Sequence, residues 1–227
     1  MVLLGLWESR KTIMTTWKDG RHDIGVPQTW TSMNRTVRLL YVRIPKAAST
    51  SLTAGMGRNQ TRRVIADAAK YHVFTVIRDP LERIVSAYST VVSRGGAFGM
   101  CGRIQMQTLR GPNSTSIDAW QRHFVASLEL WVTEIARRGW TSCRWNEHLV
   151  PQVEYMKGWP IKEIVCMESL GNFVRTWSIP PSIHNTYERD AMMPKTKFTQ
   201  TALVPNETRA MVRKLYAVDY EMRGLFC

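Results

Sequence analysis

Residues 39–51, Leu39-Leu40-Tyr41-Val42-Arg43-Ile44-Pro45-Lys46-Ala47-Ala48-Ser49-Thr50-Ser51, and residues 72–80, His72-Val73-Phe74-Thr75-Val76-Ile77-Arg78-Asp79-Pro80, carry the same grammar twice. Each has a run of β-forming residues, then a turn with a cation, then helix-starting residues. Both runs are apolar on both faces, the pattern of a strand buried in a parallel sheet and not of a half-wet edge strand. Pro45 ends the first run, and Ser49, Thr50 and Ser51 are N-cap types for a helix reaching about Met56. Behind the second run Asp79 is the expected N-cap and Pro80 an early helical residue, after which Leu81, Ile84, Val85, Tyr88, Val91 and Val92 recur at helical spacing. Strand, turn and helix repeated in this order predict an α/β fold with a central parallel sheet, whose ligands gather at the carboxyl ends of the strands.

Outward from these two units the chain reads as one domain over residues 38–227, preceded by an irregular arm over 1–37 broken by Gly20, Gly25 and Pro27. Residues 58–70 read as a basic helix and 95–116 as a long glycine-rich loop. Ile117, Trp120, Phe124, Leu128, Trp131 and Ile135 form one stripe of a packing helix that Gly139 closes. A third strand is expected over 161–167, with a helix after it. A loop rich in Pro, Lys and Thr over 180–201 then leads to a final helix capped by Asn206 and carrying Met211, Leu215 and Tyr216.

Composition bounds the function. With 227 residues, 44% hydrophobic and 22% charged, the chain can bury a substantial core. A formal charge of +13 favours polyanionic partners, whether nucleic acid, sulfated or carboxylated glycans or nucleotides, unless it is only a solvated basic surface. Cys101, Cys143, Cys166 and Cys227 form no CxxC pair and have no His at zinc spacing, so no metal site is expected, and two disulfides or none remain open. Asn34, Asn59, Asn113 and Asn206 each begin an Asn-x-Ser/Thr triplet, more than chance supplies, which leans toward the secretory pathway. The opening apolar run, MVLLGLW, is too short for a membrane span, so an anchor of a luminal protein is expected outside this chain.

The first turn suits a tetrahedral dianion, since backbone N–H groups and the positive end of a helix meet there. Lys46 adds a charge, Ser49, Thr50 and Ser51 add hydroxyl donors, and Ala47 and Ala48 let the anion approach. It is not a Walker A loop: no glycine lies between Leu40 and Thr53, and Lys46 precedes the small residues. In the second turn Arg78 can grip a phosphate bidentately, with Ser86 two helical turns on. Each turn alone also reads as an ordinary cap or ion pair.

Together the two turns resemble the carbohydrate sulfotransferases, the Golgi chondroitin/dermatan-type and heparan 2-O-type branch. Pro45-Lys46-Ala47-Ala48-Ser49-Thr50-Ser51 is similar to the family's 5′-phosphosulfate loop. Arg78-Asp79-Pro80-Leu81-Glu82-Arg83-Ile84-Val85-Ser86-Ala87-Tyr88 is similar to its 3′-phosphate motif. His148-Leu149-Val150-Pro151-Gln152, KEIVCMESLGNFV and LYAVDYEMRGLF resemble later segments in the same order. The resemblance implies a P-loop-like sulfotransferase fold and transfer of a sulfuryl group from 3′-phosphoadenosine 5′-phosphosulfate to a carbohydrate hydroxyl, without a metal. Pro45 to Ser51 would hold the 5′ end, with Lys46 stabilising the leaving oxygen, and Arg78 and Ser86 would hold the 3′-phosphate.

The base that takes the acceptor's proton is less defined. His72 opens its strand, roughly 20 Å from the phosphate end at about 3.3 Å per residue, and is excluded. His148 is the candidate the resemblance offers, with a structural hydrogen-bonding role as its alternative; Glu147 and Glu168 are weaker. His-Leu in place of the family's His-Trp leaves the acceptor open. The implied partner is an anionic or extended glycan, not nucleic acid, and the implied location the Golgi lumen or membrane, with the cytoplasm as the alternative. The competing readings are a nucleotide-dependent phosphotransferase and a basic glycan- or nucleic-acid-binding protein that keeps the fold without catalysis.

Overall fold

The structure, a computed structural model, describes residues 28–31, 38–48, 52, 56, 70–93, 117–139, 147–179 and 201–227. The strands are β1 (Gln28–Thr31), β2 (Arg38–Val42), β3 (His72–Ile77) and β4 (Glu163–Cys166). The helices are α1 (Pro80–Ser93), α2 (Ile117–Arg138), α3 (Gln152–Met156), α4 (Leu170–Thr176), α5 (Asn206–Leu215) and α6 (Ala217–Phe226). The sheet order is β1-β2-β3-β4. β2 pairs parallel with β3, Leu39 opposite His72, and β3 pairs parallel with β4, Phe74 opposite Glu163.

β1 is the main departure from the sequence reading. Residues 28–31 lie in the stretch expected to be irregular, yet they form an antiparallel edge strand on β2, Gln28 opposite Tyr41. Four residues bounded by Pro27 give too short a pattern to be seen against a mixed background; pairing with β2, buried from Leu39 to Val42, supplies what the local sequence lacks. The expected helix over 58–70 and the glycine-rich loop over 95–116 lie outside the described residues.

Alternation along β2 explains why both its faces are apolar. Leu39 and Tyr41 join Phe74, Val76, Val165 and Phe173 in one cluster, while Leu40, Val42 and Val73 form another on the opposite face. Thr75, fully buried, donates its hydroxyl to the Val42 carbonyl at 2.8 Å. A third core lies under α1, where Leu81, Ile84, Val85 and Tyr88 meet Phe124, Leu128, Trp131 and Ile135 of α2 and Val212 of α5. Burial of a single large side chain such as Trp131, wholly inaccessible here, is worth about 3–5 kcal/mol against alanine.

The helix ends follow the local signals. Gly139, at φ 74°, closes α2 with its N–H on the Ile135 carbonyl at 2.7 Å. Asp79 caps α1, accepting from the Glu82 N–H at 3.1 Å. Asn206 does not cap α5: Pro205 holds that position, no side chain caps the turn, and Asn206 is the first helical residue. Cys166, at the end of β4, is disulfide-bonded to Cys227, tying the last residue of the chain to the sheet. Cys101 and Cys143 lie outside the described residues. Among the described residues no helix is long and apolar enough to cross a membrane.

Candidate functional site

The carboxyl ends of β2, β3 and β4 lead into Pro45–Ala48, Arg78–Asp79 and Met167–Ser169, so the two turns singled out in the sequence emerge beside each other. They also touch: Nη1 of Arg78 donates to the Lys46 carbonyl at 3.5 Å.

The first turn is a strained backbone. Lys46 and Ala48 adopt φ of 66° and 56°, left-handed values that cost a non-glycine residue about 1–2 kcal/mol each. Ala47 between them is not left-handed, and alternation of this kind is the backbone pattern of anion nests, with the Ala47 N–H already taken inside the turn. Strain of this sort persists only where the surroundings impose it. Here Ala47 donates its N–H to the Ile44 carbonyl at 3.2 Å, and the Tyr41 hydroxyl donates to the Ala47 carbonyl at 3.1 Å. Burial pushes the Tyr41 phenol well above its ordinary range, so it remains a donor. Nε of Arg83 donates to the Pro45 carbonyl at 3.1 Å. Pro45 and Ala47 are buried, Lys46 and Ala48 half-buried. The Leu52 N–H on the Ala48 carbonyl at 3.0 Å marks the start of the expected helix, while Ser49, Thr50 and Ser51 lie outside the described residues.

The second turn is held by side chains. Gln152, fully buried, accepts the Arg78 N–H at 2.9 Å and donates to the Arg78 carbonyl at 2.8 Å, fixing the residue from both sides. Gln152 opens α3, where its N–H and that of Val153 donate to the Asp219 carboxylate at 2.8 and 3.1 Å. Burial pushes the Asp219 carboxyl up, while the charge of Arg83 and those two N–H groups pull it down. The Arg78 side chain, 19% exposed, is paired through Nε with Glu82 at 3.0 Å. Ser86 lies one further turn along α1 and is buried.

Arg83 joins the two constructions. Its guanidinium is inaccessible to solvent and spans from the Pro45 carbonyl to the Val150 carbonyl, at 2.6 Å from Nη2. The Tyr216 hydroxyl donates to the neighbouring Leu149 carbonyl at 2.8 Å. The His148-to-Gln152 segment and the segment around Tyr216 and Asp219 are therefore the frame that ties both turns together. His148 itself is half-buried in a 3₁₀ turn, Glu147–Leu149, directly before the two carbonyls that take Tyr216 and Arg83. Asp79 and Glu168 face Arg223 of α6, at 3.6 Å and within hydrogen-bond reach, and Glu168 is held below the usual carboxylate range, first by its own N–H and then by Arg223. His72 sits at the far end of β3, its Nε2 at 2.7 Å from Glu163.

Sequence reasoning assigned no role to Arg83, Gln152, Asp219, Tyr41 or Glu82. Their signal was confined to the strings that resemble a known family; neither periodicity nor spacing marks a residue whose partner lies 67 positions away, as Gln152 and Asp219 do.

Comparison with known proteins identifies the chain at the level of the family. A family model described as Sulfotransferase family matches residues 30–224, from within β1 to within α6. No curated protein and no solved structure matches the chain.

Proposed function

This chain belongs to the sulfotransferase family, and from that premise we propose that it moves the sulfuryl group of 3′-phosphoadenosine 5′-phosphosulfate to a hydroxyl of a carbohydrate, on one domain of P-loop-like fold. The observation that carries the reading is the meeting of the strained Pro45–Ala48 turn with Arg78 at the ends of two parallel strands. A concave, cation-bearing turn beside an anchored guanidinium fits a ligand with an anion at each end. The donor, when bound, supplies an activated sulfuryl group and a phosphate leaving group.

The chain's own residues supply the rest. Lys46 and the N–H groups of its turn stabilise the charge that grows on the leaving oxygen, worth about 3 kcal/mol per well-placed donor. Arg78, its backbone locked by Gln152, and Ser86 hold the 3′-phosphate and select against nucleotides that lack it. His148 is the proposed base for the acceptor hydroxyl. The excess of cations, +13 formally, favours an anionic or extended glycan over a neutral one. The Cys166–Cys227 bridge and the exposed Asn206 of one Asn-x-Thr triplet support a Golgi luminal location.

The direct test is binding of 3′-phosphoadenosine 5′-phosphate, expected at micromolar affinity and abolished by Arg78→Ala. If neither that nucleotide nor its sulfated form protects the protein against heat, the donor assignment falls, and a basic glycan- or nucleic-acid-binding protein on the same fold takes its place. His148→Ala is expected to lower turnover about 10²- to 10⁴-fold with donor binding nearly intact. Equal loss in both, or no loss, removes His148 as base.

A further inference from the structure

Arg78 lies two residues before α1, Glu82 sits in the first turn of that helix and Ser86 follows one turn later. Glu82 and Ser86, both within the helix, lie about 5–6 Å apart. The Glu82 carboxylate already accepts from Arg78 Nε at 3.0 Å, so a phosphate that takes this nitrogen has to share it with Glu82 or displace it. The donor set for the anion contains its own competitor.

Three contacts fix Arg78 and only one of them is a charge. Gln152 holds the backbone, the Lys46 carbonyl takes Nη1, and Glu82 takes Nε. Removing Glu82 therefore leaves the residue anchored while freeing the face of the guanidinium that a phosphate uses. Glu82 also has somewhere to go. Its side chain is 44% exposed and borders a cleft of about 240 Å³ whose other walls include Asp79, Arg209, Arg213 and Tyr220. A carboxylate displaced from Arg78 finds two cations there, Arg209 and Arg213, against the one like charge of Asp79.

We infer that Glu82 is a specificity-determining counter-ion that weakens the hold of this site on the 3′-phosphate and so eases departure of the spent nucleotide. This rests on the donor proposed above. Because Glu82 is half-exposed, solvent and salt moderate the repulsion, and the effect is an adjustment of affinity and not an exclusion.

The experiment is calorimetric titration of the wild-type chain and Glu82→Gln with two probes, adenosine 3′,5′-bisphosphate and adenosine 5′-phosphate, at low and at high salt. Glu82→Gln keeps the shape and removes the charge. It is expected to bind the bisphosphate about tenfold tighter, equivalent to about 1.4 kcal/mol, with the gain shrinking at high salt and the monophosphate unchanged. An unchanged or weakened bisphosphate affinity, or an equal change for both nucleotides, overturns the inference. A wild-type chain with no preference for the bisphosphate overturns the donor assignment itself, which is a different result from a preference that Glu82→Gln leaves untouched.

Discussion

The two turns at the carboxyl ends of β2 and β3 are built by opposite means. The Lys46 turn is shaped by its backbone, two left-handed residues without a glycine, pressed into place by Tyr41 and Arg83 from below. The Arg78 turn has ordinary backbone and is shaped by a polar relay, Gln152 to Asp219, that reaches it from the far end of the chain. A nest of N–H groups has to be built from main chain, because only successive peptide units converge on one point. A guanidinium has to be aimed, and aiming needs fixed partners on both sides. Each turn is constructed as its group requires, and Arg83 is common to both.

That contrast can be broken in order of size. Arg83→Met removes the shared member and leaves the Pro45 and Val150 carbonyls and Asp219 without their cation; a loss of about 3–5 kcal/mol in urea unfolding is expected, with nucleotide binding lost as well. Retained binding would show that the turns do not depend on Arg83. Cys227→Ser opens a bridge between positions 61 residues apart and is expected to cost about 2–4 kcal/mol. Because α6 carries Asp219, it should slacken the Arg78 turn before the Lys46 turn, visible as earlier amide exchange around Arg78.

Gln152→Ala strikes the Arg78 turn alone. Two part-buried hydrogen bonds disappear, for about 2 kcal/mol of stability, and selectivity for the 3′-phosphate should fall with them. Ala48→Gly relaxes only the Lys46 turn. Glycine accepts φ 56° without penalty but loses more freedom on folding, so a net gain of about 0.5–1 kcal/mol in a thermal melt is expected. A loss would mean that the strain relieved is smaller than the contact of the Ala48 methyl with the cluster of Leu39, Tyr41 and Phe74.

The sheet was largely legible because its evidence is local. His72–Ile77 is the strand the apolar run predicts, and α2 spans the stripe from Ile117 to its glycine stop. The third strand is shorter than expected, Glu163–Cys166, since Met167 already turns into a 3₁₀ helix. β1 escaped because its residues gain strand character only from pairing with β2. Of the site, the Lys46 and Arg78 turns were legible as cations placed where strands end. Gln152 and Asp219 were not, since a buried glutamine and a buried aspartate look in sequence like any polar surface residue.

By itself the sequence determined that the buried strands run parallel and that cationic turns stand at their ends, because burial on both faces and helix-starting residues after a strand leave few other arrangements. Only the tertiary structure decided what holds those residues still. The clamp on Arg78, the buried bridge of Arg83 and the closing of the chain by Cys166 and Cys227 join positions far apart, and contacts between distant positions exist only once the core has brought them together.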